Sequence, residues 1–390
     1  MPAKIRPQVV TATLVGLAVI AILLLAGVVA LSGAEAASNV SCGDTITSDT
    51  TLHKDLVNCP NNGIMIGADG ITLDLNGHTI DGDGTPAAGC DPITEFCDTG
   101  VVNFRHDGVT VKHGSMRQFA AGVNFGKVRH NRLLGISASR NEAIGFQFFN
   151  SSRILVRNCS GKRTSPRHEG TGIGVFDSRH VRIVNSSFRH NGEVGIRIAD
   201  STRDLIKGNL LARNRLFGII LGNSDRNQVR RNRLVRNGGG ITLGPGSNNL
   251  ITRNYVFRGR EGIRIEKGHG NLVAHNLVTH THHAGIQLGI RHLFIGGAHN
   301  VVRENVVKDT HVDGFLVGKK DRHSRLKGNL ARGSGDDGFD VESRSAKLTK
   351  NRAVRNRDLG IEAVRGVIDG GGNIARHNGD PRQCTNIVCN

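Results

Sequence analysis

From residue 145 onward the chain repeats one short pattern, a glycine followed by an apolar, a variable and an apolar residue. The glycines are Gly145, Gly172, Gly195, Gly218, Gly240, Gly262, Gly285, Gly314 and Gly338, with a variant at Gly360-Ile361-Glu362-Ala363. From Gly172 their spacings are 23, 23, 22, 22, 23, 29, 24 and 22 residues. A second column, Asn185, Asn209, Asn232, Asn254, Asn276, Asn305, Asn329 and Asn351, is spaced 24, 23, 22, 22, 29, 24 and 22. Both columns absorb the same 29-residue step, so they belong to one repeat.

Alternation with period 2 inside runs this short predicts several short strands per repeat, and a period near 22 predicts that repeats stack as coils of a parallel β-helix. The apolar residues of each triplet then face a narrow core and the middle residue faces solvent. Glycine is expected to allow a tight corner before the strand. Stacked asparagine amides at a buried turn would bond one another and the neighbouring backbone.

Composition agrees. The chain has 52 Gly, no Trp, one Tyr and 4% aromatic residues among 390, which excludes a large aromatic core and a helical bundle. Its formal charge, 51 − 33 = +18, suits an anionic partner. Lys4 and Arg6 precede an uncharged run from Val9 to Leu31 and the small-x-small sequence Ala34-Glu35-Ala36. Residues 1–36 therefore read as a secretory signal or a retained membrane anchor, and 37–390 as one extracytoplasmic domain, secreted, periplasmic or at the cell surface. Nucleic acid is not an expected partner there, and contact with a membrane is expected only through the N-terminal segment. Cys42 with Cys59, Cys90 with Cys97, and Cys384 with Cys389 are local disulfide pairs that would close the solenoid ends and one loop. Cys159 is left over as a small buried residue.

The repeats, with the opening run Gly63-Ile64-Met65-Ile66-Gly67-Ala68-Asp69-Gly70-Ile71-Thr72-Leu73-Asp74-Leu75-Asn76-Gly77-His78-Thr79-Ile80, resemble the right-handed parallel β-helix proteins of the pectin-lyase-like superfamily. That superfamily includes polysaccharide lyases, epimerases and NosD-like periplasmic proteins. The resemblance covers about residues 42–390 and implies an all-β, single-stranded right-handed parallel β-helix of roughly 13 coils. It implies no single activity, because the fold hosts many.

Residues at equal offset from the repeated glycine stack vertically, which brings acidic groups together in the last coils. Asp313 and Asp337 share the offset just before Gly, and Asp340 and Glu362 the offset two after. Carboxylates this close raise one another's pKa unless a cation sits among them, and convergent oxygens suit Ca²⁺. Asp336-Asp337-Gly338-Phe339-Asp340 with Asp313 also resembles the calcium pattern of family 9 pectate lyases. By that resemblance Asp313, Asp336, Asp337 and Asp340 are the metal ligands, while the family's lysine base has no counterpart beyond Lys347 and Lys350.

Nine of the 18 His lie between His269 and His323, so copper at imidazoles, as the NosD-like resemblance would imply, is the alternative. His283, His311 and Arg264 are the candidate catalytic side chains, either imidazole serving as general base, and Glu261, Gln287 and Glu362 the candidate substrate contacts. Gly268-His269-Gly270 does not match the polygalacturonase pattern, since its order relative to the Asp pair is reversed. The added residues 291–300 of the 29-residue coil would wall a cleft. Arginines beside the Asn corners, as in Arg213-Asn214-Arg215, Arg231-Asn232-Arg233 and Arg355-Asn356-Arg357, form positive stripes suited to a polyanion. The expected function is binding an acidic polysaccharide and cleaving or epimerising it, by a monomer; the rival is a non-catalytic metal-handling or surface-binding scaffold.

Overall fold

The computed structural model describes residues 40–85, 89, 95–165, 170–290, 293 and 295–390. The segment read as signal or anchor, Cys90, and residues 291, 292 and 294 of the enlarged coil lie outside them. Among the described residues no helix is long and apolar enough to cross a membrane.

Fourteen strands form one sheet, from Asp44–Ile46 to Ile361–Ala363, and every neighbouring pair is parallel, as for Val194–Ala199 against Phe217–Gly222. The solenoid thus has about 14 coils, one more than the expected 13. Each coil continues through two further short strands, such as Arg182–Val184 and Ser187–Arg189, which pair with the coils above and below. Thr110–Arg117 and Arg132–Ser139 run through both of these rows. Partners are 23 residues apart for Ile173 and Ile196 and 22 for Ile241 and Ile263.

The triplets behave as their pattern predicts: Ile196 and Ile198 are fully buried while Arg197 between them is half-buried. Phe315 and Phe339, in successive coils, stack at 4.6 Å under the acidic end of the sheet. Glycine's role differs from the expected one. None of the column glycines has positive φ. A Cβ on Gly195 would lie 2.8 Å from both Gly218 O and Asn214 Nδ2, so the column is glycine because the next coil approaches too closely for any side chain. The corners are turned instead by left-handed asparagine, arginine and histidine, for example Arg213, Arg236 and Arg258 at φ 56°, 55° and 54°.

Asparagine ladders tie the coils at all three corners. In the first, Asn232 donates from Nδ2 to Asn254 Oδ1 at 3.0 Å and to Ile206 O at 2.9 Å, and its backbone N–H donates to Asn254 Oδ1 at 3.0 Å. The same rungs run from Asn209 to Asn373. Asn185 is not a rung: it occupies the left-handed turn position, and Ser186 donates its N–H to Asn209 Oδ1 at 2.9 Å. The apparent 24-residue step is a 23-residue step displaced by one position. Two further ladders, Asn227–Asn249–Asn271–Asn300 and Asn191–Asn214–Asn237, stand at the other corners. Cys42–Cys59 and Cys384–Cys389 close the two ends as disulfides, and Cys159 is free and buried.

Candidate functional site

The sheet register sets Arg264, Gln287, Leu316, Asp340 and Glu362 side by side in consecutive coils, at the middle position of each triplet. Arg264 is held at both ends: Nη1 meets Glu261 Oε2 at 2.5 Å and Nη2 meets Glu266 Oε1 at 2.7 Å, with the guanidinium 5.5 Å over the Phe217 ring. Its charge is balanced within the protein, so it serves as a fixed donor that positions groups. Gln287 is buried and donates Nε2 to Gly289 O at 2.8 Å. Asp340 is buried, and Glu362 beside it is exposed.

The corner that leads into this sheet carries the other carboxylates. Asp313 and Asp337, which share an offset, act as corner caps: the Asp337 N–H donates to Asp313 Oδ1 at 3.4 Å and the Leu359 N–H to Asp337 Oδ1 at 2.8 Å. Asp336, Asp337 and Asp358 bring one oxygen each within 4.8 Å of one another, Asp337 buried and the other two exposed. Burial, aided by the carboxylates of Glu362 and Asp336 close by, pushes the Asp337 carboxyl up to about 8. An oxygen-only set with one buried and two exposed carboxylates has the chemistry that fits a hard divalent cation. Asp358 rather than Asp313 or Asp340 completes the trio. The signal for it was present in the sequence, because Asp336 and Asp358 both stand two residues before the repeated glycine.

The histidines fall on the same corner one and two coils earlier. The His282 and His311 rings are 4.7 Å apart, and His311 Nδ1 lies 3.3 Å from Thr281 O. His283 is exposed beside them. Among the described residues the one group of three metal-ligating side chains is the Asp trio, and it contains no His. The arginine stripe shares this corner too: the Arg213 N–H donates to Val235 O and the Arg236 N–H to Phe257 O, which seats Arg213, Arg236 and Arg258 one above another.

Residues 48–204, 162–291 and 206–357 match the right handed beta helix region family, and the chain belongs to it. Its fold is a right-handed parallel β-helix, as expected. Similar solved structures include the catalytic domain of a GH87 alpha-1,3-glucanase, with TM-score 0.58, 14% identity, and 85% of this chain and 63% of that one covered. The family 28 exopolygalacturonase of Yersinia enterocolitica is similar with TM-score 0.56, 10% identity, and coverage of 77% and 72%. A periplasmic alginate epimerase follows at TM-score 0.48, 16% identity, and coverage of 80% and 79%. No curated protein sequence matches the chain.

Proposed function

We propose that the protein binds an acidic polysaccharide outside the cytoplasm along the corner carrying Asp336, Asp337 and Asp358, with Ca²⁺ among those carboxylates, and abstracts the proton next to a sugar carboxylate. The observation that carries this reading is the convergence of the three carboxyl oxygens within 4.8 Å on the corner that also bears the arginine stripe. Two fold neighbours, the glucanase and the exopolygalacturonase, act on glycans by their names. The disulfides Cys42–Cys59 and Cys384–Cys389 support an extracytoplasmic compartment.

The divalent ion would offset the substrate carboxylate's charge and so acidify the adjacent C–H. Asp336, Asp337 and Asp358 would hold it, and Asp337 would give up the proton that burial favours on its carboxyl. His311 is the base. The Thr281 carbonyl 3.3 Å from Nδ1 holds the ring proton there and leaves the Nε2 lone pair free. Proton abstraction α to the carboxylate begins both β-elimination and epimerisation. Arg264, clamped by Glu261 and Glu266, and Gln287 line the adjoining sheet face as fixed donors.

Calorimetric titration of Ca²⁺ into the metal-stripped protein tests the site. Binding that disappears in an Asp336→Asn, Asp358→Asn double variant is the expected result. Copper binding that survives those changes, or no binding of either ion, would overturn the Asp-centred reading in favour of the scaffold.

A further inference from the structure

Two successive coils are one residue shorter than their neighbours at the arginine corner. Between the corner asparagine and the repeated glycine, Asn214-Arg215-Leu216-Phe217-Gly218 has three residues where Asn237-Gly238-Gly239-Gly240 has two. In the next coil the strand Glu261–Ile265 starts two residues after Tyr255–Gly259 ends. The missing residue leaves a notch of about 510 Å³ along the corner, walled by Arg213, Arg215, Arg236, Arg258, Arg260 and His282 and floored by Gly238 and Gly259. The floor cannot acquire side chains. A Cβ on Gly238 would stand 2.2 Å from Arg215 O, and one on Gly259 2.9 Å from Asn237 O.

All five arginines are exposed, and none forms an ion pair with a carboxylate among the described residues. Three are steered by neighbours other than carboxylates: Arg213 Nη1 lies 3.4 Å from His190 Nε2, Arg215 Nε donates to Gly192 O at 2.8 Å, and the Arg258 guanidinium lies 5.1 Å over the Phe257 ring. Elsewhere on the sheet arginines are balanced in place, as Arg197 is by Glu193 and Arg264 by Glu261 and Glu266. Unbalanced guanidinium groups at one-coil intervals of about 4.8 Å repel one another unless a linear polyanion lies across them. The notch and the Asp trio share one corner, the left-handed positions running Arg258, His280, Asp309, Gly333 and Arg355, so Arg258 and Asp336 are three coils apart, roughly 14 Å.

We infer that this notch is an anchoring subsite for the carboxylates of an acidic glycan, which it holds along the corner a few sugar units from the Asp trio. The inference rests on the acidic-polysaccharide reading above and adds where the chain is gripped. Guanidinium forks take carboxylates in pairs, and the gap left by the shortened coils gives a sugar ring room to sit below them.

The test uses the full chain and defined oligogalacturonates, with affinity measured by calorimetry at two salt concentrations. Arg236→Asn with Arg258→Asn removes two walls while keeping a residue that tolerates the left-handed corner. Arg231→Asn with Arg253→Asn makes the same change of charge at another corner of the same coils, where the Asn232–Asn254 ladder stands. The expected result is at least a ten-fold loss of affinity and a shallower salt dependence for the notch variant, with less than a two-fold change for the control. Equal losses in both variants would show attraction to overall charge alone and overturn the subsite. Unchanged affinity in the notch variant would overturn it while leaving the acidic-polysaccharide reading intact. Absence of any oligogalacturonate binding by the parent chain, or equal binding of a neutral glucan oligomer, would overturn that reading and the subsite with it.

Discussion

Asp204 occupies a position in the ladder where the three following coils have Asn227, Asn249 and Asn271. It is 1% exposed, its Oδ1 accepts the Val181 N–H at 2.7 Å, and its Oδ2 has no hydrogen-bond partner. Burial pushes its carboxyl up to about 8 from an unfolded value of 3.8. A folded pKa above the unfolded one means that the native state binds the extra proton between these limits. Stability is therefore fullest at low pH and falls as pH rises from about 4 to about 8. At pH 7 the cost relative to a permanently neutral side chain is about 4 kcal/mol, and at pH 4 about 0.6 kcal/mol. Asp204→Asn removes the titration. It also supplies an amide where Asn227 and Asn249 reach the Ser201 and Ser224 carbonyls, the equivalent here being Ser178 O. Urea unfolding of parent and variant between pH 4 and pH 7 should show a stabilisation that grows by about 3 kcal/mol across that range. A gain that stays constant with pH, or a loss, would refute the buried neutral carboxyl.

Asn254→Ala removes one rung: the Asn232 N–H loses its acceptor, Asn232 Nδ2 keeps only its bond to Ile206 O, and the Val229 carbonyl loses the Asn254 amide, so a loss of about 2–4 kcal/mol in urea unfolding is expected. Cys159, 2% exposed and with its thiol pushed up to about 11, should resist iodoacetamide at pH 8 in the folded protein and react at once in denaturant. Replacing Cys42 and Cys59 by serine opens a 17-residue link across the first coil and should cost about 3 kcal/mol, seen as earlier loss of amide-exchange protection in Asp44–Ile46 than in central strands.

The repeat was legible because its two columns answer to different constraints, one steric and one polar. A glycine is needed wherever the next coil's carbonyl touches the strand, and an asparagine wherever a corner must satisfy backbone groups of two coils. What each column does was less legible. Spacing alone could not separate Asn185, which turns the corner, from Ser186, which fills the rung, because the two are adjacent. Nor could it distinguish close approach from a tight turn as the reason for glycine. The site divides in the same way. Offsets correctly placed Asp340 beside Glu362 and Asp313 below Asp337, but the backbone claims one oxygen each of Asp313 and Asp337 for corner capping. Asp358 falls in the same acidic cluster by its offset but was not expected as a ligand, because its neighbour Leu359 breaks the Asp-Asp pattern. The pairing of Arg264 with Glu261 and Glu266 was hidden in a different way, since alternation places residues on a face without saying which of them neutralise each other.

The central claim is that cation and glycan meet at one corner, and linkage between their affinities tests it most directly. Oligogalacturonate affinity of the parent protein should be at least ten-fold higher in Ca²⁺ than in chelator, and the Asp336→Asn, Asp358→Asn variant should show no such difference. Identical affinities with and without Ca²⁺ in the parent chain would contradict the account.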